Sequence, residues 1–247
     1  MPLNKLEKID QLKNWIEKAE RIAVLTGAGV STESGLKDFR SEDGMFTCDE
    51  PIEYYLSRDY FNRNPEEFWE NYKKIFQLEH LHTYEPNLAH VFFAELERKG
   101  KSVTIITQNV DGLHQKAGST NVIEVHGTVT KATCPKCSKT FDFGHIMKTN
   151  VPVCSDCGHE ILDPDIVLYG DAIHGWDEAE TSVRNADLFL AMGTSLSVTP
   201  VNMFPAIAEQ AGVPRKVLLN NEPTIMNAYF DLFIEEKLGV IFQTISK

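Results

Sequence analysis

Short apolar runs with almost no polar break constrain this chain most. Ile22-Ala23-Val24-Leu25, Val103-Thr104-Ile105-Ile106, Leu188 to Met192 and residues 217–219 are too brief for helices and too uniformly apolar for strands with one wet face. Between them the spacing becomes helical. Leu6, Ile9, Leu12, Ile16 and Ala19 precede the first run, while Leu88, Val91, Phe92 and Leu96, closed by Gly100, precede the second. Pro200 opens a further helix after the third run. The alternation predicts an α/β fold with a Rossmann-like parallel sheet covered on both faces. In such a sheet ligands bind beyond the carboxyl ends of the strands, so the loops that follow the runs carry the candidate chemistry.

Two stretches break the rhythm. Residues 34–83 hold Phe39, Phe46, Tyr54, Tyr55, Tyr60, Phe61, Phe68, Trp69 and Tyr72 without a strand signal, and residues 131–160 hold paired cysteines. We read them as a helical insertion and a metal-binding insertion that together make a smaller lobe. The discontinuous sheet domain is then 1–33, 84–130 and 161–247. Apolar residues are 42% and charged residues 24% of 247, so the chain has the profile of a globular protein and not of a disordered one. A formal charge of -12 argues against direct nucleic-acid binding. The amino-terminal stretch is interrupted by charge too often for a signal sequence, and no run reaches membrane-spanning length, which points to the cytoplasm.

Four of the five cysteines form two CxxC pairs, Cys134 with Cys137 and Cys154 with Cys157, separated by sixteen residues. That spacing suits a four-thiolate structural zinc site with no open position for catalysis. The competing readings are disulfides, disfavoured in a cytosolic chain, and a redox CxxC, which needs no duplicate. Cys48 stands alone and reads as a packing residue.

The first run ends in TGAGVSTESGLKDFR, residues 26–40. Gly27 and Gly29 would let backbone amides approach a pyrophosphate, which makes a dinucleotide the natural guest; a tight turn with glycines at positive φ is the lesser alternative. Thr32 stands where a dehydrogenase fingerprint wants glycine, and Leu36 where a P-loop wants lysine. The second run ends in TQNVDGLHQKAG, residues 107–118. Gln108, Asn109 and Asp111 offer the donors and acceptors that read a ribose and a carboxamide. His126 follows the short run Val122-Ile123; it is either a satisfied core residue or a general base.

Taken together, GAGVSTESGLKDFR, PNLAH (86–90), TQNVDGLHQKAG, HGT (126–128), the two CxxC pairs, DPDIVLYGD (163–171), GTSLSVTP (193–200) and NNEPT (220–224) resemble the sirtuin family of NAD-dependent protein deacylases, in its bacterial-type catalytic core. The resemblance implies NAD as co-substrate and one structural zinc. NAD would lie between sheet domain and small lobe, its pyrophosphate on Gly27, Ala28, Gly29, Gly193, Thr194 and Ser195, and its adenosine ribose on Asn220. Asn109 and Asp111 would hold the nicotinamide carboxamide and Gln108 the adjoining ribose. Asp38, Phe39 and Arg40 would complete the cofactor loop, Phe39 covering the ribose once nicotinamide has left. His126 would be the general base and Asn109 its catalytic companion. An acylated-lysine protein or peptide would add as a strand between residues 166–170 and 196–198, touching Val167, Tyr169, Gly170 and Val198. The products would be free lysine, nicotinamide and O-acyl-ADP-ribose. Nothing predicts an oligomer, a membrane partner or a nucleic-acid partner.

The pattern is not followed everywhere. Lys37 stands where proline is usual, Asp163 where arginine is common before Pro164, and Asp171 where glutamate usually follows Gly170. Members that favour acidic acyl groups carry Tyr-x-x-Arg on a small-lobe helix, whereas here Tyr72-Lys73-Lys74-Ile75 has no arginine, which implies acetyl or apolar acyl over succinyl. The rival functions are a protein ADP-ribosyltransferase on the same scaffold and a non-catalytic NAD-sensing zinc module.

Overall fold

The computed structural model describes residues 3–37 and 51–247. Among them the strands are β1 (Arg21–Thr26), β2 (Ser102–Thr107), β3 (Val122–Glu124), β4 (Gly127–Thr133), β5 (Thr140–Asp142), β6 (Asp163–Ile166), β7 (Leu188–Met192), β8 (Lys216–Asn220) and β9 (Leu232–Glu235). Six form one parallel sheet in the order β3-β2-β1-β7-β8-β9, and β5-β4-β6 form a small antiparallel sheet. The apolar runs are the central strands of the large sheet. Successive side chains alternate between faces, so a strand buried on both sides has no position for a polar residue. On β1, Ile22 and Val24 enter one core, Ala23 and Leu25 the other.

Helices Lys5–Lys18, Leu88–Arg98 and Leu238–Ile245 contribute to the first core, Trp176–Arg184 and Phe204–Gln210 to the second. The first helix starts at Asn4, whose side chain accepts the Glu7 amide while Glu7 accepts the Asn4 amide. Leu88–Arg98 ends near Gly100 at φ +90, as expected, but its buried stripe is Ala89, Phe93 and Leu96. Leu88, its first residue, is half exposed, and Phe92 is partly buried against Phe242. Pro200 precedes a 3-10 turn, Val201–Met203, so the α-helix begins only at Phe204 with Pro205 in its first turn. Among the described residues no helix is long and apolar enough to cross a membrane.

The aromatic stretch supplies helices Ile52–Tyr55, Arg58–Arg63 and Pro65–Ile75, which pack in one core with the cysteine-bearing stretch. Phe68, Trp69 and Tyr72 meet Phe141, Ile146, Cys134 and Cys154 there. The buried Trp69 indole donates to the Leu162 carbonyl at 3.0 Å, and the Lys73 ammonium donates to the carbonyls of Ile146 and Thr149. These bonds fix segments distant in sequence to one another.

In the large sheet the chain moves from β1 outward to β3, then crosses to β7 on the other side. The loops after β1 and β7 therefore open a crevice at the switch point. Here the two backbones touch. A Cβ on Gly27 would lie 2.8 Å from the Gly193 oxygen, one on Gly29 2.8 Å from the Gly193 Cα, and one on Gly193 2.4 Å from the Val30 nitrogen. Gly193 also has φ +59. Gly193→Ala is expected to destabilise the fold by about 2–4 kcal/mol through this clash and the left-handed backbone, as read by urea unfolding.

Candidate active site and metal centre

The contact between loops changes what the glycines do. The Gly29 amide donates to the Gly193 carbonyl at 2.9 Å and the Gly27 amide to the Met192 carbonyl at 3.2 Å. These glycines hold two strand-end loops together, and Ala28 lies between them. The Thr194 hydroxyl is likewise engaged, accepting the Gln108 side-chain amide at 2.9 Å and the Leu196 amide at 3.2 Å. Ser195 is exposed, with its hydroxyl 3.0 Å from that of Ser197. Asn220, at the end of β8, donates to the carbonyls of Thr194 and Glu222. The structure thus gathers the residues expected at the pyrophosphate and adenosine ribose around one crevice. Asp38, Phe39, Arg40 and Cys48 lie outside the described residues.

The loop after β2 is pinned to the glycine loop by a residue that the sequence reading passed over. Ser31 is buried; its hydroxyl donates to Asp111 at 2.7 Å and accepts the Asn109 side-chain amide at 3.1 Å. The other Asp111 oxygen accepts the Leu113 amide at 2.9 Å. Burial pushes the Asp111 pKa up, opposed by these hydrogen bonds. An amide and a carboxyl group are therefore held side by side at a strand end. This donor and acceptor set suits the carboxamide of nicotinamide. Ser31 ends GAGVS, a stretch in which the glycines are the stronger motif.

His126 follows β3. Its Nδ1 lies 3.1 Å from the Gln108 carbonyl oxygen, which only accepts, so Nδ1 carries the proton. The neutral ring then has its lone pair on Nε2. Desolvation lowers the His126 pKa below the ordinary value of 6.5, against the Gln108 bond, which raises it. A base held neutral with one nitrogen fixed is the form that general-base chemistry needs.

Two more histidines sit beneath this site. His90 and His114 are buried, with ring centroids 4.7 Å apart. His90 Nδ1 accepts the Asn87 amide at 3.2 Å, and His114 Nε2 lies 3.2 Å from the Thr26 hydroxyl. Asn87 also donates to the Val30 carbonyl and the Ser34 hydroxyl. PNLAH thereby braces the glycine loop, a role that spacing alone did not reveal. Desolvation lowers His90 to about 4 and His114 to about 3, the latter aided by His90.

The expected peptide edges differ from one another. The Val167 amide donates to the His126 carbonyl at 2.9 Å, while the Tyr169 amide and carbonyl pair with Leu56 and Arg58. Among the described residues this leaves the Val167 carbonyl and the exposed Gly170 without backbone partners. The second edge is not an extended strand here. Leu196 has φ +53, and the Val198 carbonyl accepts the Asn202 amide, because the chain is already turning toward the Val201–Met203 helix.

The four cysteines meet at the small core, each CxxC in a tight turn. Ser138 at φ +60 and Gly158 at φ +71 follow equivalent positions, their amides donating to Cys134 and Cys154 carbonyls. Sulfurs of Cys134 and Cys157, and of Cys137 and Cys154, are 3.6 Å apart, and all four lie within 4.8 Å of one another. Tetrahedral zinc thiolates have sulfur separations of about 3.8 Å, whereas a disulfide requires about 2 Å. The set fits one structural zinc, held by Cys134, Cys137, Cys154 and Cys157.

A doubly wound sheet with a glycine-lined switch point, an amide and carboxyl pair, a neutral histidine and a four-cysteine lobe defines a dinucleotide-using enzyme with a structural metal. The sequence model of the Sir2 family matches residues 27–200, and the chain belongs to that family. It is 47% identical over 243 residues to NAD-dependent protein deacetylase 2 of Geobacillus kaustophilus strain HTA426, covering 98% of each chain. It is also 42% identical over 237 residues to an NAD-dependent protein deacetylase of Bacillus subtilis strain 168, covering 94% and 96%. Among solved structures, a Sir2 complex with a p53 peptide and NAD+ matches with TM-score 0.83 at 31% identity, covering 96% of each chain. A Sir2 homologue complex with ADP-ribose matches with TM-score 0.86 at 33% identity, covering 96% and 95%.

Metal analysis of the purified protein should find about one zinc per chain. Cys137→Ser should lose it and lower the melting temperature; full retention of metal would refute the four-cysteine site. The paired histidines have folded-state values below 6.5, so they favour the folded state above that pH. Their contribution is lost as pH falls from about 6.5 toward 4, by about 1.4 kcal/mol per pH unit for each histidine. Urea unfolding between pH 7 and 4.5 should show a shallower pH slope in His90→Phe and His114→Phe than in the parent.

Proposed function

We infer that this chain is an NAD-dependent protein-lysine deacetylase that moves the acyl group of acetylated, or apolar-acylated, lysine onto ADP-ribose. The products are deacylated lysine, nicotinamide and O-acyl-ADP-ribose. The observation that carries the reading is His126: Nδ1 is fixed on the Gln108 carbonyl and Nε2 is left as a base, beside the crevice formed by the two strand-end loops. Family membership and deacetylases at 42–47% identity support it.

NAD, when bound, would offer an anomeric carbon with nicotinamide as its leaving group. Asn109 and Asp111, their positions set by Ser31, would hold the carboxamide of that base. Gln108, stretched between the Thr26 carbonyl and the Thr194 hydroxyl, faces the adjoining ribose. The backbone from 27 to 29, with Gly193 to Ser195, would line the pyrophosphate, and Asn220 would hold the adenosine ribose. The Val167 carbonyl and Gly170 pair with the substrate main chain, with Tyr169 and Val198 on its flanks. His126 accepts a ribose hydroxyl proton at Nε2. Placing the base and the Val167 carbonyl on adjacent segments would bring acyl-lysine and ribose to one spot.

In this reading the helical and zinc-bearing insertions form a small lobe against the sheet domain. Its core also takes in Val129, Leu162, Ile166 and Leu168, which favours a boundary nearer residue 169 than 160. Tyr72 and Ile75 are fully buried in that core, and an isoleucine offers no cation to an acidic acyl group, which favours acetyl over succinyl. Four sulfurs placed for a metal and not for disulfides favour the cytoplasm.

His126→Ala should lower deacetylation by about 10²- to 10⁴-fold while NAD still binds, measured with acetyl-peptide by mass spectrometry. In the parent, kcat/KM should fall as pH drops through the neutral base, with its acidic limb below 6.5. With labelled NAD the label should appear in free O-acyl-ADP-ribose. Label on protein would mean an ADP-ribosyltransferase, and a fully active His126→Ala would refute the base.

A further inference from the structure

The segment that offers Val167 and Gly170 to a substrate is braced from another part of the chain. Arg58 opens the helix Arg58–Arg63, directly after Ser57, whose hydroxyl caps that helix by accepting the Tyr60 amide. Its main chain and the residues before it run beside Tyr169. The Arg58 amide donates to the Tyr169 carbonyl at 3.0 Å, the Tyr169 amide donates to the Leu56 carbonyl at 2.9 Å, and Ser57 pairs with Tyr169 in a parallel bridge.

The guanidinium grips the same segment at both ends. Nε and Nη2 donate to the two oxygens of Asp171 at 3.0 and 2.8 Å, and Nη1 donates to Asp163 at 2.8 Å. Asp171 in turn accepts the Leu168 amide at 3.1 Å, and its own amide donates to the Leu168 carbonyl at 2.9 Å. The peptide groups of Leu168 and Tyr169 are thus fully engaged, which leaves the segment one conformation in which Val167 and Gly170 face outward. Two carboxylates flank this cation, one before Pro164 and one after Gly170. These are two of the three positions at which the chain departs from its family resemblance, with Asp163 where arginine is common and Asp171 where glutamate is usual. Position 163 carries a carboxylate in this chain, and the cation between the two carboxylates comes from Arg58.

We propose that Arg58 is a positioning residue for the acyl-peptide, holding residues 166–171 in the shape that pairs with the substrate main chain and so controlling peptide affinity without touching the substrate. The proposal rests on the reading of residues 166–170 as the peptide edge. A planar, bidentate fork does this work; a lysine ammonium does not reproduce it. The Arg58 side chain is only 28% exposed and its fork is bidentate, so its loss also costs some stability, and the split between peptide KM and melting temperature isolates the geometry of the edge.

Arg58→Ala and Arg58→Lys should raise KM for an acetylated peptide about tenfold, a factor worth about 1.4 kcal/mol. KM for NAD should stay within about twofold. Adding Asp163→Arg to Arg58→Ala returns a cation to the same carboxylate and should recover most of the peptide KM. Asp171→Asn repeats the test if the arginine variants fold poorly. A lowered melting temperature with peptide KM unchanged makes Arg58 merely structural and overturns the proposal, as does a lack of rescue by Asp163→Arg. Hydrogen exchange separates this from the underlying reading. Acetyl-peptide should protect amides within residues 166–170 of the parent chain; absence of protection overturns the peptide edge and the proposal together, whereas protection with unchanged KM overturns Arg58 alone.

Discussion

Two loops from neighbouring parallel strands approach until only hydrogen fits between their backbones, and the site follows from that contact. Gly27, Gly29 and Gly193 have no side chains at the places where a Cβ would meet the opposite main chain at 2.4–2.8 Å. Once the loops lock, Thr194 stands where Gln108 can reach it, and Ser31 stands where it can join Asn109 to Asp111. Three strand ends are thereby tied by side-chain hydrogen bonds within one crevice. The dipeptide amides bound in this contact are spent on the protein itself, so the crevice is preformed instead of being assembled by a ligand.

A second constraint comes from the small core. Zinc needs four sulfurs about 3.8 Å apart, and the two tight turns supply that spacing from residues far apart in sequence. Cys134 and Cys154 are buried next to the aromatic residues from helix Pro65–Ile75, and the Trp69 indole reaches the chain at Leu162, beside β6. Cysteine cluster and aromatic helix share one packed core with Ile166 and Leu168. The chain continues into Tyr169, where Leu56 and Arg58 pair with it. Arg58 also joins Asp163 to Asp171, so the cation between these carboxylates comes from a distant part of the chain.

Much of this was legible in the sequence, for identifiable reasons. Central parallel strands announce themselves as unbroken apolar runs because both faces are buried, and the CxxC spacing is fixed by metal geometry. His126 was visible as a histidine at a strand end. What escaped were features set by contacts across the fold. β9 has an alternating burial pattern at the sheet edge, so its run is weaker than those of β1 and β7. The stripe of Leu88–Arg98 was misplaced because half-buried Phe92 and exposed Leu88 share the hydrophobicity of buried Phe93. The close contact that Gly27 and Gly29 make with the loop after β7 was not legible, since nothing local says that another loop lies beside them. Ser31, His90 and Arg58 matter through partners 80, 24 and 113 positions away, among them Asp111, His114 and Asp171.

The bond from the Val167 amide to the His126 carbonyl has a further consequence. One residue thus offers a ring nitrogen on its side chain and tethers the 166–170 segment through its main chain. In the proposed reaction, the proton acceptor and the segment that pairs with substrate would share that tether, so their spacing would be set by a single hydrogen bond.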